Sequence, residues 1–183
     1  MSQQVQSSSE GASHKESDPR RATAKAKVPT GDVPLPAAVY GGTGLIPFVA
    51  TAIAVWAAPA GWDALALDVQ LFYGATIISF LGAAHWGLAL AGQGARGDVA
   101  AACSWARLGY SVAPSLVAWL SLITVPVIGV IMQMLSFAAT FFVDARTTRA
   151  GITPAWYPRL RRPLTIVAIV CLGASLLRLG QQM

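Results

Sequence analysis

The chain has 183 residues, 55% of them hydrophobic and only 11% charged, with a net charge of +5. Soluble domains carry roughly 25% charged residues, so a water-facing globule of this composition would lack the polar surface to cover its core. The length allows one compact bundle after a polar opening segment, and the basic excess does not point to nucleic acid, because the arginines and lysines flank apolar stretches as orientation signals.

Residues 1–33 read as a disordered, basic cytoplasmic tail, rich in Ser, Gln, Lys and Ala and without an aromatic residue before Gly31. Such a segment cannot bury enough apolar area to offset ordering. It has no apolar run of signal-peptide type, and Glu10, Glu16 and Asp18 interrupt any transit-peptide pattern. Beyond it, four stretches carry no Asp, Glu, Lys or Arg: Val33–Trp62, Val69–Ala95, Leu108–Val143 and Pro163–Leu177. A helix rises about 1.5 Å per residue and a bilayer core is about 30 Å thick, so roughly 20 apolar residues span it. The third stretch would be ~54 Å long as one helix and must turn back on itself. The expected fold is all-α: an integral membrane bundle of five transmembrane helices filling residues 34–183, at about 37–58, 71–91, 103–120, 126–143 and 163–179.

The first helix follows Pro34 and Pro36 and contains Tyr40-Gly41-Gly42-Thr43-Gly44 and Pro47. Pro47 cannot donate to the carbonyl of Thr43 and crowds it, which predicts a kink. Gly41 and Gly44 suit close helix packing better than a phosphate loop, since no Lys follows the last glycine. Trp56 and Trp62 suit the outer interface belt.

In the second helix Ala75, Ser79, Ala83 and Gly87 recur every four residues, a row of small side chains that admits a close neighbour, with Gly82 beside it. His85 lies on another face, with Gly74, Ile78 and Leu81, so this helix is expected at the centre of the bundle. Trp86 follows His85. The third helix begins with Cys103, Trp105 and Arg107, and Pro114 in its middle frees the carbonyl of Tyr110, which Ser111 or Ser115 could help satisfy. The fourth holds Gln133 near its centre, where an unmet amide in lipid is costly. It ends at Asp144.

The following loop joins Trp156 and Tyr157 to Arg159, Arg161 and Arg162, an interfacial anchor favouring anionic lipid. Pro163 suits the first turn of the fifth helix. With the N-terminus inside and the C-terminus outside, 12 of the 13 basic residues fall on the inner side.

Several phrases taken together resemble one family. They are Gly44-Leu45-Ile46-Pro47-Phe48, Tyr73-Gly74-Ala75, Ser79-Phe80-Leu81-Gly82, His85-Trp86-Gly87, Pro114-Ser115-Leu116-Val117-Ala118-Trp119, Asp144, and Trp156-Tyr157 before a basic run. The chain from about Pro34 onward resembles the transmembrane protein 69 family of small multi-pass proteins of bacteria and mitochondria. The resemblance implies a helical integral membrane protein, of the bacterial inner (plasma) membrane or the mitochondrial inner membrane. It implies no reaction and carries over no catalytic residue.

The candidate functional cluster is His85, Trp86, Arg107 and Asp144, all expected in the inner half of the bundle. Ionisable groups at membrane depth mark functional sites by default, and an imidazole paired with a carboxylate could relay protons or hold a ligand. The alternative is structural: His85 bonds across the bundle, and Asp144 caps a helix end against Arg107 or Arg146. No metal site and no cofactor are expected, because the cysteines Cys103 and Cys171 have no local partners and His14 in the tail is the sole other histidine. The expected partners are membrane lipids, anionic at the inner face, and other membrane proteins. Three functions stay open, in this order: a non-catalytic accessory or assembly component, a small-solute or proton pathway around His85, and an enzyme or binder of lipid or quinone.

Overall fold

The computed structural model describes residues 32–59, 61–92 and 104–182. The expected disordered tail and Cys103 lie outside them. The described residues are all-helical: α1 (Leu35–Thr43), α2 (Ile46–Ala57), α3 (Trp62–Leu90), α4 (Trp105–Leu122), α5 (Pro126–Arg149) and α6 (Tyr157–Gln182).

The first rod breaks in two where Pro47 predicts a kink. The residues between α1 and α2 are Gly44 and Leu45, and Pro47 sits in the opening turn of α2, where its missing N–H costs nothing. The Gly44 carbonyl at the break accepts a hydrogen bond from the Tyr73 hydroxyl at 2.7 Å. Backbone freed at this depth needs such a partner.

The remaining helices outrun their charge-free cores. α3 starts at Trp62, nine residues before the expected Leu71; α5 continues to Arg149 instead of Val143; α6 begins at Tyr157 instead of Pro163 and runs to Gln182. Charge marks where the hydrocarbon ends, not where hydrogen-bonded backbone ends. The early start of α3 is fixed by Asp63, whose Oδ1 accepts the backbone N–H groups of Gly61 and Ala64, as a carboxylate at a helix N-terminus should. Its Oδ2 accepts from the Gln182 amide at 2.9 Å, tying the start of α3 to the end of α6. Pro163 accordingly stands in the second turn of α6, not the first.

Among the described residues, four helical segments, against the five crossings expected, are long and apolar enough to cross a bilayer: Leu35–Ala57, Trp62–Leu90, Pro126–Arg149 and Tyr157–Gln182. Their outward faces carry Phe72, Phe80, Leu135, Phe142, Ile166 and Val170, all exposed. In water these would form an apolar patch far beyond what a monomer tolerates; in lipid they are the expected surface.

α3 is central. It packs on α2, α4 and α5, while α6 closes the ring against α5, α2 and α1. Phe48, Ile78, Val130, Phe137 and Leu172 fill the middle with 1% exposure or less. Phe48 meets Phe137 edge to face at 5.6 Å. α3 and α4 approach closely at Gly82, where a Cβ would stand 2.5 Å from the Ser111 carbonyl oxygen and 3.4 Å from the Pro114 ring. Gly74 serves the same purpose toward Gln133, whose amide oxygen lies where a side chain at 74 would sit. Gln133 finds its partners across the bundle, donating to the Leu71 carbonyl at 2.8 Å and the Ser121 hydroxyl at 3.0 Å. Ser111, offered as a partner for the Tyr110 carbonyl, instead donates to the Arg107 carbonyl at 2.8 Å, one full turn back.

Candidate functional site

His85 and Asp144 meet. The imidazole Nε2 lies 2.9 Å from Asp144 Oδ1; the Asp144 side chain is buried, 3% exposed, and that of His85 is partly buried, 11% exposed. Asp144 Oδ2 accepts from Arg161 Nε at 2.8 Å, and the Arg161 side chain is 6% exposed. One carboxylate on α5 therefore holds a base on α3 and a guanidinium on α6. The Tyr110 ring of α4 stands edge-on to the His85 ring at 5.2 Å, which brings a fourth helix to the cluster. Tyr110 and Tyr157 both lie within electrostatic reach of Asp144 and Arg161.

Local sequence explains the placement. His85 is five residues from the end of α3, ~7.5 Å along the axis. Asp144 is five residues from the end of α5, and its carbonyl accepts from the Thr147 and Thr148 hydroxyls. Thr148 bonds Thr153 at 2.6 Å across the turn, at which Gly151 takes a positive φ of 72°. The short turn brings the start of α6 back beside Asp144. Arg161 then opens an inward row on α6, followed by Thr165, Ala168, Leu172 and Ser175, all buried. Spacings of four, three, four and three residues keep one helical face turned to the core.

The expected cluster is thus revised. His85 and Asp144 come together, whereas Trp86 is 40% exposed on an outward face. Among the described residues Asp144 pairs with neither Arg107 nor Arg146. Arg161, expected in the interfacial anchor with Trp156, Tyr157, Arg159 and Arg162, turns inward as the buried counter-ion, while Arg159 and Arg162 remain exposed. Trp156 and Tyr157 pack edge to face at 6.1 Å and are half-buried. The signal that finds Arg161 is the period of the row it opens.

Of the residues expected to pack helices, Ala75 and Gly82 are buried and Gly41, Gly44 and Ser79 half-buried; Ala83 and Gly87 are exposed, and a Cβ at Gly87 would touch nothing within 4 Å. A further polar contact inside the bundle joins Gln70 on α3 to Ser175 on α6 at 2.6 Å. Toward the other end, Trp56 donates to the Ala174 carbonyl at 3.1 Å beneath the Arg178 guanidinium.

An all-helical bundle with apolar outward faces and a buried ion cluster defines a multi-pass membrane protein. Residues 33–177 match the model of a family described as proteins of unknown function, DUF3429. Over 152 residues the chain is 36% identical to Transmembrane protein 69 of Xenopus tropicalis, a match covering 80% of this chain and 55% of that protein. The chain belongs to this transmembrane protein 69-like family, and it spans about half the length of the curated relative. No solved structure matches it.

Proposed function

We propose that the chain is a five-span protein of a bacterial inner or a mitochondrial inner membrane, N-terminus inside and C-terminus outside, and that it works as a non-catalytic component of a larger membrane assembly. α4 supplies the fifth crossing: its 18 residues reach ~27 Å, close to the thickness of the hydrocarbon core. The arginines at the end of α5 and the start of α6 then lie on the inner side.

The observation that carries the reading is the closure of the cluster at Asp144. Both carboxylate oxygens are committed, one to His85 and one to Arg161, so the charged groups pin three helices to one another. The small-residue row of α3 supports it: Ala75 is used inside the bundle, but Ala83 and Gly87 continue the row on an exposed face. In lipid, small residues on an open face admit a second helix at close range.

The test is extraction of the full chain from its native membrane in mild detergent, followed by native electrophoresis. Wild type is expected in a complex heavier than the monomer, and Gly87→Leu, whose Cβ would meet nothing within 4 Å among the described residues, releases it. A monomer at every detergent concentration contradicts the proposal. The His85–Asp144 contact also suits proton movement; unchanged proton flux between wild-type and His85→Ala proteoliposomes eliminates that second reading.

A further inference from the structure

A cavity of about 330 Å³ lies between α1–α2, α3 and α6, and its wall is almost wholly apolar except at one end, where Tyr157 and Arg161 stand. The volume falls at the small end of ligand pockets, roughly 300–1,000 Å³. Two of its lining residues, Tyr40 and Phe80, are 79% and 68% exposed, so it opens sideways onto the lipid-facing surface. The break in the first rod helps form it: Gly44 and Leu45 line it, which is where irregular backbone is tolerated at membrane depth.

Three measures identify an occupant. The first is length: on α6 the cavity reaches from Tyr157 to Ala168, ~16 Å along the axis, and the ~10 Å of it past Arg161 holds the upper two thirds of an acyl chain in a hydrocarbon leaflet about 15 Å deep. The second is depth: Arg161 lies four residues into α6, ~6 Å, matching the 5–7 Å or so of one interfacial layer, where the ester carbonyls of a phospholipid reside. The third is charge. Arg161 is 5% exposed, its Nε is spent on Asp144, and its Nη2 is buried with no hydrogen-bond partner among the described residues. The net charge of the Asp144–Arg161 pair is zero, so the spare donor suits a neutral carbonyl oxygen; a phosphate placed there would bring a second anion beside Asp144. The phosphate instead belongs one layer out, within reach of the exposed Arg162 side chain as it snorkels back toward the interface.

We propose that this cavity is a phospholipid site, which takes one acyl chain of an anionic diacyl lipid from the leaflet facing the arginines, with an ester carbonyl accepting from Arg161 Nη2. The lipid fills the wedge between α1 and α6 and completes the bundle on that side. The site is independent of the assembly role and stands or falls separately.

The test uses the full chain in nanodiscs of equal phosphatidylglycerol and phosphatidylcholine, each with a photoreactive diazirine on an acyl chain. The expected result is crosslinking to cavity residues such as Leu81, Leu164 and Ala168, stronger with phosphatidylglycerol. Crosslinks confined to outward residues such as Ile166 and Val170, or equal capture of the two lipids, overturn the proposal. In native mass spectrometry after a delipidating wash, wild type and the outward variant Val170→Trp retain one phospholipid. Ala37→Trp, which fills the cavity from α1, retains at least about tenfold less at an unchanged unfolding temperature, and equal retention overturns the site. If Ala37→Trp unfolds earlier than wild type, Leu45→Trp is the variant compared.

Discussion

Replacing Asp144 by Asn removes the charge that Arg161 and His85 share. Arg161 is left 5% exposed with a guanidinium and no counter-ion, and His85 faces a neutral amide. Breaking one side of a buried ion pair costs about 3–5 kcal/mol, whereas replacing both sides by apolar groups of similar volume is often neutral. At about 1.4 kcal/mol per factor of ten, Asp144→Asn shifts the unfolding equilibrium by roughly two to three and a half powers of ten. The double variant Asp144→Leu with Arg161→Met returns most of that loss. The assay is equilibrium unfolding in detergent micelles, with both single variants and the double completing a cycle. Asp68→Asn, at an exposed position of α3, is the control and leaves the midpoint near wild type. A cost below ~1 kcal/mol for Asp144→Asn, or a double variant no better than the singles, refutes the buried clamp.

Gly82→Ala forces its new methyl group to 2.5 Å from the Ser111 carbonyl oxygen and should cost about 1–3 kcal/mol by unfolding in micelles, while Gly87→Ala, with open space around it, is neutral. Tyr73→Phe removes the partner of the Gly44 carbonyl at the helix break; it should cost about 0.5–1.5 kcal/mol and raise amide exchange locally around Gly44–Phe48. Ser175→Ala strips the donor from Gln70 Oε1 in the core, with an expected loss of about 1–3 kcal/mol in the same unfolding assay.

The four segments long and apolar enough to cross were legible because lipid admits few charges, so the charge-free stretches mark them. The helix ends were not, for the same reason: Asp63, Asp144 and the arginines of α5 and α6 are helical but stand where water or headgroups begin. The break before Pro47 followed from one missing N–H and one crowded carbonyl. His85 and Asp144 stood out as intramembrane ionisable groups, yet Arg161 was read with its neighbours Arg159 and Arg162 as one outward anchor. Three arginines within four residues cannot all face the same way on a helix, and the register of α6 decides which turns inward. That register is written in Thr165, Ala168, Leu172 and Ser175, one to four turns downstream, so it shows only when α6 is extended past Pro163 to Tyr157. Trp86 faces outward and Arg107 makes no ion pair with Asp144 among the described residues, since closeness in depth does not set the angle at which a side chain leaves its helix.

The most direct test of the buried clamp is a heteronuclear distance between labelled Arg161 and Asp144 in the protein reconstituted in lipid bilayers, read by solid-state NMR. A strong dipolar contact from Arg161 Nε to the Asp144 carboxyl carbon, consistent with an N···O separation of 2.8 Å, is the predicted result. A solvent-exchanging Arg161 side chain with no correlation to Asp144 would contradict it.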